Sequence, residues 1–223
     1  MKRIQIFGDS ILRGVLREES GKLKLRADPQ YSYISDLGYE VKNNARVGAT
    51  IKKGLALLRR KRPQPEDREI VLFGFGGNDC DFDWSAMQED PRADYRPNVE
   101  LSEFTALYKT AIREAQDAGA TVAVCNLVPL DSEKYFRWIC TQGSEAVISE
   151  WLGDPSMLYR WHENYNRAVE SVAEATGCKL VNIREAFLTR HDYKDLIGID
   201  GVHPTEAGYK VIDEVFASYL PQR

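Results

Sequence analysis

Glu69-Ile70-Val71-Leu72-Phe73-Gly74-Phe75-Gly76-Gly77-Asn78-Asp79 is the stretch that decides the fold of this chain. Its apolar run is short, unbroken, and rich in β-branched and aromatic side chains, which reads as a buried strand. Strands without polar alternation belong to sheets covered on both faces. The run ends in a polar, glycine-containing loop. Arg3-Ile4-Gln5-Ile6-Phe7 followed by Gly8-Asp9-Ser10 repeats the pattern nearer the N-terminus. Residues 39–43, 120–127 and 178–183 complete the set of predicted strands.

Helical spacing fills the gaps between these strands. Residues 51–62 form one helix, stopped by Pro63 and Pro65. Phe104, Leu107, Tyr108, Ala111, Ile112 and Ala115 mark a second, which Gly119 closes. Trp161, Tyr165, Ala168, Val169, Val172 and Ala173 mark a third, ending near Gly177, and residues 205–219 a fourth, entered at Pro204. Strands alternating with helices predict a parallel α/β sheet, whose ligands sit outside the carboxyl ends of the strands. Gly8-Asp9-Ser10 and Gly76-Gly77-Asn78-Asp79 therefore face the same edge.

With 223 residues the chain suits one α/β domain, residues 1–223, rather than two. Thirty basic against 34 acidic side chains leave a net charge of −4, which disfavours nucleic acid and anionic membrane surfaces as partners. The basic run Arg59-Arg60-Lys61-Arg62 suits the end of a helix. No segment approaches the roughly 18 apolar residues of a membrane span. Residues 1–7 read as a first strand rather than a signal peptide. Cys80, Cys125, Cys140 and Cys178 show neither C-x-x-C nor metal-like spacing, so reduced thiols in a cytoplasmic protein are expected. Residues 129–161 form an irregular insertion carrying Tyr135, Phe136, Trp138, Trp151, Tyr159 and Trp161. It is either a small satellite core or a lid and pocket wall over the strand ends.

The chemistry lies at the two ends of the chain. A serine hydroxyl needs a base to become a nucleophile, and that imidazole needs an acceptor to fix its tautomer. His162 falls on a helical stripe and His191 in a polar loop, both structural positions. His203 differs, because Asp200 precedes it by three residues in the turn Asp200-Gly201-Val202-His203-Pro204. That spacing lets the carboxylate fold back on the ring. Ser10, Asp200 and His203 are thus the catalytic candidates. Acyl transfer also needs donors for an oxyanion, and the Ser10 N–H, the Asn78 amide and a Gly48 N–H are available.

Phe7-Gly8-Asp9-Ser10-Ile11-Leu12 resembles the first block of the SGNH (GDSL-type) hydrolases. Asn44-Ala45-Arg46-Val47-Gly48-Ala49-Thr50 is similar to the second block and Gly76-Gly77-Asn78-Asp79 to the third. Asp200-Gly201-Val202-His203-Pro204, continued by Ala207-Gly208-Tyr209, resembles the last. The resemblance implies a three-layer α/β/α fold of flavodoxin-like type with about five parallel strands, and neither metal nor cofactor. It implies Ser10 as nucleophile, His203 as base and Asp200 as its partner, with Ser10, Gly48 and Asn78 forming the oxyanion hole. Ile11 stands where the family name has a leucine. Asp9, Asp79 and Trp138 are candidates for the substrate pocket, the two aspartates also for bracing the loops.

Rival motifs are missing: there is no G-x-S-x-G elbow, S-x-x-K, H-E-x-x-H, P-loop or complete dinucleotide fingerprint. The expected activity is a cytoplasmic serine esterase acting on a small acyl ester, short-chain or O-acetyl, esters of carbohydrate among them. The alternatives are a lysophospholipase or thioesterase, and a non-catalytic small-ligand binding module on the same fold.

Overall fold

A computed structural model describes residues 2–27, 31–63, 69–90 and 92–219. Met1 and Pro65, both used in the sequence reading, lie outside them. The elements run β1 (Lys2–Gly8), α1 (Ser10–Arg13), β2 (Val15–Arg17), β3 (Leu23–Leu25), α2 (Ser32–Asp36), β4 (Tyr39–Asn43) and α3 (Ile51–Arg60). They continue with β5 (Ile70–Gly74), α4 (Ala86–Glu89), α5 (Leu101–Asp117), β6 (Thr121–Cys125), α6 (Ser132–Cys140) and α7 (Glu145–Leu152). Last come α8 (Ser156–Thr176), β7 (Lys179–Val181), α9 (Ile183–Leu188), a 3-10 turn (Tyr193–Leu196) and α10 (Glu206–Tyr219).

Five of the strands form one parallel sheet in the order β4-β1-β5-β6-β7. Neighbouring residues of each strand feed opposite layers, as the two-residue period of a strand requires. Val71 and Phe73 of β5 pack with α3, α5 and α8, whereas Leu72 faces the other side, where α2, α9 and α10 lie. Ile4 and Ile6 of β1 face that second layer, and Phe7 the first. This three-layer α/β/α arrangement is the one expected from the sequence. Its helix ends also follow the sequence: Gly177 caps α8 in the left-handed conformation, and Arg59 and Arg60 close α3.

The strand order reverses between β1 and β5, and side-by-side loops leave a sheet at such a point in opposite directions, opening a crevice. Gly8 and Gly74, paired across that seam, leave room for α1 to fold down over it. A Cβ on Gly74 would stand 2.6 Å from Leu12 Cδ1, and one on Gly8 only 2.8 Å from the same atom.

Two features depart from the sequence reading. The chain after α1 forms an antiparallel hairpin, β2 with β3, which no pattern announces. Residues 129–161 are not irregular: they hold α6, α7 and the start of α8. Ile139, Ile148 and Leu158 from these helices make a separate apolar cluster with Trp84, Met87 and Leu130, so the segment is a folded satellite core. It is also a wall of the crevice, because Trp138, Trp151 and Leu158 line it.

Candidate active site

The crevice at the switch point is a cleft of about 1140 Å³. Ser10 is the first residue of α1, so its N–H has no partner within the helix. Asp9 caps that helix, its Oδ1 accepting the Ile11 N–H at 2.9 Å. These constraints hold Ser10 at the mouth of the seam, nearly buried but lining the cleft.

His203 arrives from the other end of the chain. Its Nε2 lies 2.9 Å from Ser10 Oγ, and its Nδ1 2.6 Å from Asp200 Oδ2. The Asp200 carboxylate can only accept, so Nδ1 carries the proton and Nε2 is left to accept from the serine hydroxyl. Asp200 Oδ1 accepts the N–H groups of Val202 and His203 at 3.1 and 3.0 Å, which shapes the turn. Gly201 within it has φ +73°, and a Cβ there would meet the Tyr135 nitrogen at 2.3 Å. The turn thus sits hard against the N-terminus of α6, where the Asp131 N–H donates to Gly201 O at 2.9 Å.

One further residue belongs to this arrangement and was not found from sequence. Arg17, on the hairpin, donates from Nε to Asp200 Oδ2 at 2.9 Å and from Nη1 to Gly21 O at 2.8 Å. Its guanidinium lies over the Trp138 ring, 4.6 Å from the centroid. Burial alone would raise the Asp200 carboxyl, but the bonds from His203 and Arg17 hold it well below the usual carboxylate range. Asp200 therefore stays ionised whenever the fold is intact.

Gly48 and Asn78 reach the same cleft as Ser10. The Asn78 Nδ2 donates to Ala49 O at 3.3 Å, a long bond, and the Asn78 carbonyl is fixed by Asn98 Nδ2 at 2.9 Å. Ser10, Gly48 and Asn78, the three expected oxyanion donors, thus line one cleft. Trp138 and Asp9 both line the cleft. Asp79 does not belong to the cleft lining: it is fully buried, and its Oδ1 accepts the Ile51 N–H at 2.8 Å, tying the third sequence block to the start of α3. Burial pushes Asp9 up to about 6 and Asp79 up to about 7, the latter also by the nearby Asp9 charge.

The other histidines behave as the sequence suggested. His191 is exposed in a turn, and His162 is buried in α8. Burial and the Arg184 charge lower His162 to about 3 and keep it neutral.

A doubly covered parallel sheet with Ser, His and Asp meeting at its switch point defines a hydrolase. This chain belongs to the GDSL-like lipase/acylhydrolase family, whose pattern matches residues 6–211. Among solved structures it is similar to a lipase/acylhydrolase from Enterococcus faecalis, at 18% identity over 100% of both chains with a TM-score of 0.67. A catalytic mutant of Axe2, an acetylxylan esterase from Geobacillus stearothermophilus, shares 18% identity over 99% of this chain and 97% of that one, with a TM-score of 0.64. LAE5, an alpha/beta hydrolase from the metagenome of Lake Arreo, shares 17% over 97% and 93%, also at 0.64. At such identities the likeness is one of fold. No curated protein matches the sequence. Among the described residues, no helix is long and apolar enough to cross a membrane.

Proposed function

We propose that the protein is a serine esterase that hydrolyses small carboxylic esters, short-chain or O-acetyl, carbohydrate esters among them, through an acyl-enzyme. The observation that carries this reading is the unbroken line from Asp200 through His203 to Ser10 on the floor of the cleft. His203 Nε2 takes the Ser10 proton as Oγ attacks the acyl carbonyl, and Asp200 stabilises the imidazolium that forms. The N–H groups of Ser10 and Gly48 and the Asn78 amide receive the oxyanion. Their contribution grows as charge develops, so the donors lower the barrier rather than merely binding substrate. His203 then protonates the departing alcohol, and water activated by the same nitrogen releases the acid. The likeness to an acetylxylan esterase fold favours a short acyl group. A small-molecule ester is the partner in this reading, and four unpaired cysteines favour a reducing, cytoplasmic setting.

Hydrolysis of p-nitrophenyl acetate, butyrate and octanoate by wild type and Ser10→Ala tests the reading. We expect acetate to be the best substrate and turnover to fall by about 10³-fold or more in the variant. A fluorophosphonate should label Ser10 alone. Full activity in Ser10→Ala would overturn the assignment, and a preference for octanoate would point to a lipase-like acylhydrolase.

A further inference from the structure

All four tryptophans of the chain, together with Phe82, Tyr95 and Tyr135, line the cleft. They pack as a connected cluster: Trp151 stands 5.0 Å from Phe82 and 6.0 Å from Trp84, both edge-on, and Trp84 is 6.3 Å from Tyr135. One carboxylate sits among them. Asp81 Oδ1 accepts the Phe82 N–H at 2.9 Å, the Trp84 Nε1–H at 2.8 Å and the Tyr135 hydroxyl. All three donors are neutral. Asp81 Oδ2 takes no hydrogen bond or ion pair from the described residues, is not sealed from solvent, and belongs to a side chain that lines the cleft. Burial raises the Asp81 carboxyl from its ordinary value while the three hydrogen bonds lower it. The cleft lining thus holds a carboxylate fixed by neutral donors, with no cationic partner among the described residues.

The positive charges nearby are otherwise engaged. Arg17 is held by Asp200, and Arg96 by Asp94 and Glu100. His162, also in the cleft wall, is neutral. Aromatic faces carry negative potential, so the rings and the free oxygen attract the same kind of ligand. An anionic substrate would be repelled. A sugar hydroxyl would leave the Asp81 charge uncompensated. A primary ammonium would have to shed tightly held water to enter, whereas a quaternary ammonium is weakly hydrated and fits ring faces.

We infer that this wall of the cleft is a cation subsite, in which Asp81 and the tryptophan faces hold the quaternary ammonium group of the ester. The inference rests on the esterase reading for turnover but not for binding, and the two separate experimentally. Acetylcholine and 3,3-dimethylbutyl acetate have the same shape and differ in the positive charge. In the wild type, kcat/KM should favour the charged ester by about tenfold or more. Asp81→Asn keeps the Oδ1 acceptor and loses the charge, so the preference should fall close to unity, with a melting curve confirming the fold. Trp151→Leu should reduce it as well. Choline should quench tryptophan fluorescence saturably, 3,3-dimethylbutanol should not, and Asp81→Asn should abolish the effect. Equal rates on both esters, with no choline binding, would overturn the subsite and leave the esterase standing. Saturable choline binding without hydrolysis of either ester would do the reverse.

Discussion

At the residue scale, two carboxylates in and beneath the site, Asp200 and Asp79, are pushed in opposite directions by their surroundings. Asp200, with His203 and Arg17 bonded to it, stays ionised; Asp79, buried with its Oδ2 unpartnered, resists ionisation. The consequence for stability follows from linkage. The folded state holds the Asp79 proton up to about pH 7, and the unfolded chain releases it near the ordinary 3.8. Stability from this group is therefore complete below the unfolded value and is lost as pH rises through 7. Asp79→Asn keeps the acceptor for the Ile51 N–H and removes the charge. It should melt higher than wild type at pH 8, by about 2 kcal/mol or a few degrees. The gap should narrow as pH falls and close only below about pH 4, the unfolded value being 3.8; an equal gap at pH 8 and pH 4 would contradict the burial argument. The sequence exposed Ser10, Asn78, Asp200 and His203 because each sits in a polar turn beside a predicted element boundary. Asp81 stayed hidden, since nothing local shows that Tyr135, 54 positions away, will bond to it.

At the level of elements, the strands were legible because burial on both faces leaves them continuously apolar. The hairpin was not: β3 is exposed throughout, with Leu25 at 52%, so it has no core-facing stripe to betray it. The helices α6 and α7 escaped for a related reason. Their aromatic side chains have middling helix propensity and face the cleft and satellite core instead of the main sheet. The hairpin is tied to the fold by Arg17, bonded to a residue 183 positions away and stacked on α6 through Trp138, and by the Val15 carbonyl, which accepts the Tyr209 hydroxyl at 2.8 Å. Arg17→Met should lower kcat about tenfold by loosening Asp200, and should speed amide exchange over residues 15–25. Arg17→Lys should restore part of the rate. Unchanged exchange would show that the hairpin is held by other contacts. Gly201→Ala is the harsher test of element packing: its Cβ would collide with α6 while its φ stays positive. It should cost roughly 3 kcal/mol or more and displace His203, abolishing turnover.

Across the whole molecule, two apolar layers share one sheet, and a third cluster stands above the strand ends. The layers cannot separate, because β1, β5 and β6 contribute side chains to both. The satellite cluster of Trp84, Met87, Leu130, Ile139, Ile148 and Leu158 is different. Each such side chain contributes about 1.5–3 kcal/mol on burial, against about 1–2 kcal/mol for fixing each backbone residue around it. A cluster this small does not support its own segment. It is held by polar tethers to the main fold: the Asp131 N–H to Gly201 O at 2.9 Å, and Lys134 Nζ to the Ile197 carbonyl at 2.7 Å. The satellite should therefore open at lower cost than the sheet. The tryptophans report on it, since all four line the cleft that it walls. In a urea titration the tryptophan emission should shift red at a lower midpoint than the loss of far-ultraviolet circular dichroism. Esterase activity should follow the fluorescence and not the dichroism, because the cleft loses its wall before the sheet loses its order. Coincident midpoints for all three signals would instead mean that α8, continuous from Leu158 into the main core at Val169, locks the satellite to the sheet as one cooperative unit.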